Sequence, residues 1–430
     1  MQLLDLITIF IFALGIVIMG LSFSGKGRNM KSFFAAGGAV PWAMSGLSLF
    51  MGFFSAGTFV VWGSIAYSLG WIAISIQWTM AIAGFVVGFF IAPRWHKTSA
   101  LTVAEYITRR LGVNTQKTYT YLFLFISLFT TGSFLYPVAK IVEVSTGMPL
   151  DLCILLLGGF CIVYVAAGGL WAVVSTDVLQ FIILTAAVLI VVPLSFGRVG
   201  GVVNFIESIP ATYFNLVNGE YTIGFIIAFG VYNAIFLGGN WAYVQRYASV
   251  NSQSSARKVG FLFGGLYVVS AVLWMLPPMI YRIVNPSLST IDAEGAYLMM
   301  CKEVLPAGLL GLMLSGMVFA TASSLNATLN ISSGVVTNDI FKRLFPQSSD
   351  KTLMRVARIS TIIFGLLAII VALLIPLMGG IVNVVISVAA LTGVPLYLPI
   401  IWTLFSKRQT EYSVITTTFC LLYTSPSPRD

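Results

Sequence analysis

The chain has 430 residues, of which 58% are hydrophobic and 9% charged, and its mean hydropathy is +0.96. That leaves too little polar surface for a water-soluble globule and excludes a soluble enzyme or binding domain. The net charge of +9 is explained by the placement of basic residues between apolar runs, so nucleic-acid binding is not needed to account for it.

Apolar runs of about 20 residues recur along the whole length without the period-2 pattern of a barrel, so the spans are helices of a polytopic, all-α membrane protein. The first, 3–21, has no basic start, carries Asp5 and is too long for a signal-peptide core; it reads as a retained helix. Further spans are predicted at 41–67, 71–92, 118–145, 150–168, 175–197, 222–243, 259–284, 305–337, 356–377 and 381–405, with a twelfth starting near Tyr412. Most of the 23 basic residues, from Lys26 through Arg94, Arg109, Arg246 and Arg343 to Arg408, fall in loops on one side. By the positive-inside rule that side is cytoplasmic, which puts the N-terminus and the loops 198–221 and 285–304 outside.

Between the third and fourth spans, TVAEYITRRLG puts Val103, Tyr106, Ile107 and Leu111 opposite Glu105, Arg109 and Arg110. This predicts a short amphipathic helix on the inner membrane surface. His96, in PRWHKTS, reads as a solvated loop residue, and the four scattered cysteines as packing residues with neither a disulfide nor a zinc spacing. At the end, YTSPSPRD breaks the twelfth span with two prolines. Residues 1–420 are therefore read as one transporter-like domain, with 412–422 the start of a further helix and 421–430 a non-native tail.

Two spans are interrupted by polar and small residues. In SGLSLFMGFFSAGTFVVWGS, Gly52 and Gly57 surround Ser55 and Thr58; in GFIIAFGVYNAIFLGGNW, Gly230, Gly238 and Gly239 surround Asn233. They stand five spans apart, at matching positions of two repeats, 41–197 and 222–405, that would cross the membrane in opposite senses. Paired broken helices of this kind mark the central site of a secondary transporter. Each alone is equally compatible with glycines that permit close helix packing.

The ninth span contains FATASSLNATLN. At about 100° per residue, Ala320, Ser323, Ser324 and Ala327 share one face, flanked by Thr321 and Thr328. Such hydroxyls either bond back to the carbonyl four residues earlier or present oxygens to a small cation. With no carboxylate beside them, a monovalent ion suits this face better than a proton. Charges within spans are few: Lys140 and Glu143 are spaced to pair, and Asp177 has two readings, a helix cap or a cation ligand.

These residues carry a resemblance. SAGTFVVWGSIAYSLG with Gln77-Trp78, GGLWAVVSTDVLQ, NWAYVQR and ATASSLNATLNISSGVVTNDIFKR are similar to the sodium/solute symporters, the family of sodium/glucose cotransporters, proline permease and sialic acid transporters. The resemblance implies a five-plus-five inverted repeat preceded by one extra helix, here 3–21. It implies a sodium ion, Na+, held by the carbonyls of Met51, Phe54 and Ala320 and the hydroxyls of Ser323 and Ser324. Asp177 matches a possible second cation ligand, but Asn326 and Ala327 stand where two-sodium members carry hydroxyl residues, which favours one ion per cycle. The implied substrate cavity lies beside Ser55, Thr58, Gln77 and Asn233, with Phe236 as an inner gating aromatic. The arginine that binds carboxylate in the sialic acid transporter has no counterpart in SLFTTGSF.

The expectation is a multi-pass inner (plasma) membrane symporter, not an enzyme, that imports a small neutral solute such as a sugar or polyol with sodium. Its partners would be sodium, the solute and the bilayer, without nucleic acid. Uptake of a carboxylate, sialic acid or amino acid is the same-class alternative, and a passive channel or transporter-like receptor the different-class one.

Overall fold

The computed structural model describes residues 2–22, 40–100, 102–289, 293, 295–378, 381, 384, 387, 388 and 391–424; certain helical side chains, Ser323 and Asn326 among them, fall outside that description. Among the described residues the chain is helical, with one isolated bridge between Val40 and Val250. The helices are α1 (Leu3–Ser22), α2 (Trp42–Met51), α3 (Thr58–Leu69), α4 (Trp71–Lys97), α5 (Val103–Leu111), α6 (Val113–Thr146) and α7 (Leu150–Arg198). After α8 (Val202–Ser208) come α9 (Ile223–Gly239), α10 (Trp241–Ala248), α11 (Gln253–Val284), α12 (Ala296–Val304), α13 (Leu309–Val335), α14 (Asp350–Leu374), α15 (Leu398–Thr403) and α16 (Glu411–Tyr423). Among the described residues, five helical stretches are individually long and apolar enough to cross a bilayer, and the bent pair α9–α10 makes a sixth.

Within α7 the arms Leu150–Val163 and Val174–Arg198 correspond to the two spans that the sequence predicts, 150–168 and 175–197. Both arms meet α13. Phe160 meets Phe319 with ring centroids 5.5 Å apart, and Leu184 presses on Gly316, three residues away on the same helix. A straight helix would hold residues 160 and 184 about 36 Å apart, so the chain doubles back between Leu150–Val163 and Val174–Arg198.

The helices sort into two groups. Helices α2, α3, α4, α9 and α11 pack together, and α6, the first arm of α7, α13 and α14 form the other. Within the first group α4 and α11 meet through glycines spaced four apart on both sides: a Cβ on Gly84 would sit 2.8 Å from Gly264 Cα, and one on Gly260 would sit 2.6 Å from Gly88 Cα. Small residues let the backbones approach where lipid supplies no hydrophobic drive, and the order of contacts sets the register of the pair. The second arm of α7 bridges the groups.

Helix α1 is fastened to the second group by a charge. Asp5, 1% exposed, accepts from the backbone N–H groups of Gly308 (2.7 Å) and Gly311 (3.0 Å) at the start of α13. A carboxylate is a good partner for these donors, which have no carbonyl one turn earlier to bond.

Three sequence expectations are corrected. The amphipathic α5 is helical and capped by Thr102, but its apolar face is buried against protein, with Tyr106 OH 2.9 Å from Thr403 Oγ1, so the body of the molecule covers what a membrane surface was expected to cover. His96 lies in the last turn of α4 and its Nε2 is 2.9 Å from Val250 O, so it is a packing contact between segments. Arg246, counted as a loop cation, is 1% exposed within α10. Helix α4 passes Pro93 and continues to Lys97, beyond the expected end at 92; a wide π turn at Val87–Ile91 precedes the proline and absorbs the missing N–H. Glu411–Tyr423 forms the helix expected near Tyr412, with a Thr410–Ser413 capping box, and residues 425–430 of the expected tail lie outside the described residues.

Basic residues gather at one end through specific contacts. Arg94 stacks over Phe405 at 4.2 Å, Arg110 reaches Ser406 O at 3.3 Å and Arg343 donates to Gln116 Oε1 at 2.5 Å. The opposite end holds Arg198 paired with Glu303 at 3.1 Å and Arg282 over Tyr67.

Candidate functional site

The first interruption is a true break. Helix α2 ends at Met51, and Gly52–Ser55 are non-helical before the chain resumes toward α3. In a continuous helix the Ser55 N–H would return to Met51 O; here it goes to Phe53 O (3.1 Å) and Thr58 Oγ1 (3.3 Å). The Thr58 N–H, which would return to Phe54 O, bonds Ser55 O at 2.9 Å instead. The carbonyls of Met51 and Phe54 therefore lose their helical donors, at residues 0% and 2% exposed. Buried carbonyls in this condition are ready ligands for a cation.

The hydroxyl face of α13 is tied to this break by two hydrogen bonds. Ser324 Oγ donates to Gly52 O at 2.8 Å, and Thr321 Oγ1 accepts from the Ala56 N–H at 2.6 Å while donating to Met317 O. Ala320 is fully buried on the same face. The Ser323 side chain lies outside the described residues. The structure thus brings Met51, Phe54, Ala320 and Ser324 to one seam between the two helix groups, and adds Gly52 and Thr321, which the sequence reading treated only as a break-former and a flanking residue. Thr321 is legible in hindsight: next to Ala320, its hydroxyl both bonds back to Met317 O and accepts from the break.

A small cavity of about 20 Å3 adjoins this seam, lined by Ser324, Thr328, Thr130, Ser127, Asn240 and Tyr397. That is room for one water-sized species among several polar groups.

Asp177 is fully buried, and Ser48 Oγ donates to its Oδ2. Arg246 Nε in turn donates to Ser48 Oγ at 3.3 Å, and Ser45 Oγ donates to Arg246 O at 2.8 Å. A protein guanidinium thus faces the carboxylate through one hydroxyl and supplies the neighbouring positive charge. The network pins α2, α7 and α10 just below the break. Asp177 lies in the first turn of the second arm of α7, Val174–Arg198.

The proposed substrate residues are divided. Ser55 and Thr58 stand together at the break, but the Thr58 hydroxyl is engaged, donating to Phe53 O at 2.7 Å. Asn233 Nδ2 donates to Thr79 Oγ1 at 2.8 Å, so it joins α9 to α4. Gln77 is two positions from Thr79, about 200° round the helix. It shares the face of Ala81 and Gly84 that meets α11, and its buried Nε2 has no protein acceptor. Phe236 packs edge-on to Phe53 with centroids 6.0 Å apart, stacks near Tyr232 and contacts Tyr243 and Tyr397, forming an aromatic wall against the first break.

The second interruption is displaced from its expected position. Asn233 lies inside continuous α9; the chain bends by 61° at Asn240, between α9 and α10. Asn240 Oδ1 accepts from the Ala242 N–H at 2.9 Å as the cap of α10, and its Nδ2 lies 3.3 Å from Tyr397 OH. Gly239 is required there because a Cβ would come within 2.4 Å of Tyr397 Cβ. Lys140 and Glu143 pair at 2.6 Å, as their spacing predicts.

The family model described as the sodium:solute symporter family matches residues 33–419. The sodium/glucose cotransporter of Vibrio parahaemolyticus is 29% identical over 419 residues, covering 88% of this chain and 76% of that protein. Solute carrier family 5 member 4B of Mus musculus is 26% identical, covering 94% and 68%, and the sodium/myo-inositol cotransporter 2 of Oryctolagus cuniculus is 26% identical, covering 85% and 60%. Among solved structures, a Na+-coupled sialic acid symporter in a substrate-bound outward-open state matches with a TM-score of 0.85 at 22% identity, over 96% of this chain and 89% of that one. At that identity the likeness establishes the fold, a sodium-symporter transporter architecture. A family match spanning nearly the whole chain, on that fold and with broken helices meeting a hydroxyl-bearing partner, establishes that this chain belongs to the sodium:solute symporter family, multi-pass membrane transporters rather than enzymes.

Proposed function

We propose that the chain imports a small neutral polar solute, a sugar or polyol, with one sodium ion per cycle. The observation that carries the sodium reading is the pair of carbonyls, Met51 and Phe54, stripped of helical donors opposite Ser324. Sodium as co-substrate would take those oxygens with Ala320 O, Ser323 and Ser324, tying the break to α13. A solute bound on the other side of the break would then favour closure, and the two helix groups would rock about the seam.

The neutral-solute reading is supported by the unpartnered Gln77 Nε2, a buried donor suited to a solute hydroxyl or carbonyl, and by the sugar and myo-inositol cotransporters among the relatives. Uptake of a carboxylate or amino acid would look to Lys140, whose charge is already countered by Glu143. Asp177, facing Arg246 through Ser48, is not needed as a cation ligand in this scheme. The orientation follows the basic end: cytoplasm at Arg94, Arg110 and Arg343, and the N-terminus outside.

The test is uptake of labelled sugars, polyols and acids into proteoliposomes across a sodium series. Accumulation against a gradient that disappears with choline in place of sodium is expected, and equal uptake in choline would falsify the coupling. Equilibration without accumulation would favour a channel, and acid uptake sensitive to Lys140→Ala would favour the carboxylate reading.

A further inference from the structure

On the side of α13 away from the break lies a second cavity, of about 340 Å3, between α1, α6, the first arm of α7 and α13. Its walls are almost wholly apolar, including Ala13, Val138, Leu157, Val318, Phe319 and Leu325. Engineered apolar cavities of ~150 Å3 stay free of water and take up hydrocarbon-like guests. A cavity twice as large facing lipid calls for the same kind of occupant.

Its shape narrows the choice. The lining runs along α6 from Phe134 to Thr146 and along α13 from Leu314 to Leu325, about 16–18 Å at the helical rise. That matches half of the roughly 30 Å hydrocarbon core of a bilayer. A cleft of this length and volume between four helices accommodates an extended hydrocarbon chain. The mouth is at the lipid-facing surface: Leu6, which lines it, is 50% exposed, and its neighbours Phe10 (69%) and Ile11 (63%) on α1 stand fully outward. At the end nearest the turn between α6 and α7, Ser145 contributes a buried hydroxyl without a protein partner, positioned for an ester oxygen of a lipid whose chain fills the rest.

We propose that this cavity is a binding site for one acyl chain of a bilayer phospholipid, and that its occupancy supports the α13 turn carrying the sodium half-site. Thr321 lines the cavity and accepts from the Ala56 N–H across the break, so a chain seated behind it fixes the turn from the rear. The second clause of the proposal rests on the sodium reading above; the first does not.

The experiment uses the full chain in phosphatidylcholine vesicles carrying a fraction of lipid with a photoreactive diazirine on one acyl chain. After illumination, labelling is expected to concentrate on residues 134–146 and 314–325 relative to the lipid-facing side of α14, and to fall several-fold in Leu157→Trp and in Ala13→Trp. Even labelling of all lipid-facing helices in the wild type would overturn the site, whether or not either variant folds. In a second arm, the sodium concentration giving half-maximal thermal stabilisation is measured in delipidated micelles before and after adding back phosphatidylcholine. A several-fold fall on add-back supports the link to the half-site, and sodium-dependent stabilisation with an unchanged midpoint overturns it. Absence of any sodium effect together with concentrated labelling would leave the lipid site standing and count against the sodium reading.

Discussion

The two broken spans solve different problems. At residues 52–55 the chain gives up four helical positions, and the carbonyls of Met51, Gly52 and Phe54 are no longer met by their own helix; Ser324 answers one of them from across the seam. At Asn240 the chain bends by 61° in a single residue, and the bend is closed locally by a side-chain cap and a packed tyrosine. The first break leaves oxygens available to a ligand. At the second, Gly238 O accepts from Trp95 Nε1 of α4 at 2.8 Å and Leu237 O from Tyr247 OH at 3.3 Å, so these carbonyls already have protein donors. Equivalent positions in two repeats therefore need not carry equivalent chemistry: what decides it is whether the released backbone carbonyls meet protein donors or are left open to a ligand.

Four substitutions sharpen this contrast. The largest effect is expected from Ser324→Ala, which removes an oxygen from the half-site: the sodium concentration for half-maximal uptake should rise at least about tenfold, equivalent to about 1.4 kcal/mol, and an unchanged sodium dependence would separate Ser324 from the ion. Gly239→Ala sets a methyl against Tyr397 and should cost about 1–3 kcal/mol by overpacking. It is expected to lower the maximal uptake rate with little change in sodium affinity; a sodium shift as large as that of Ser324→Ala would mean the two breaks act as one site. Thr321→Val keeps the shape but leaves the Ala56 N–H without its acceptor, a loss of about 1–3 kcal/mol visible as a lower melting temperature in detergent, with Thr321→Ser largely retaining stability. The smallest is Asn240→Ala, which should cost about 1 kcal/mol as a lost cap, with Asn240→Asp close to wild type in thermal unfolding because it keeps the capping oxygen.

The site was unevenly legible in the sequence. The meeting of the first break with the hydroxyl face of α13, Ser324 at Gly52 and Thr321 at Ala56, was legible because glycines and hydroxyl residues have few other uses in an apolar span. Asn233 was misplaced as the centre of the second break: glycines bracket it, but Gly238 and Gly239 answer to close neighbours, Ile91 and Tyr397, and the bend falls where Asn240 can cap a new helix. Arg246 was read as a solvated loop charge because charge counting carries no information about burial, and its partners, Ser48 and Asp177, lie 198 and 69 positions away.

Hydropathy by itself determined the all-helical membrane class of the molecule and the segregation of its basic residues, because the bilayer imposes length and polarity on each segment separately. Only the tertiary structure decided that α5 is covered by protein, that Arg246 is buried, that Ser324 and Thr321 bond to the first break at Gly52 and Ala56, and that the second bend falls at Asn240. Each of these depends on which helix a residue meets, and that choice is made by close packing and by satisfying buried polar groups across distant parts of the chain.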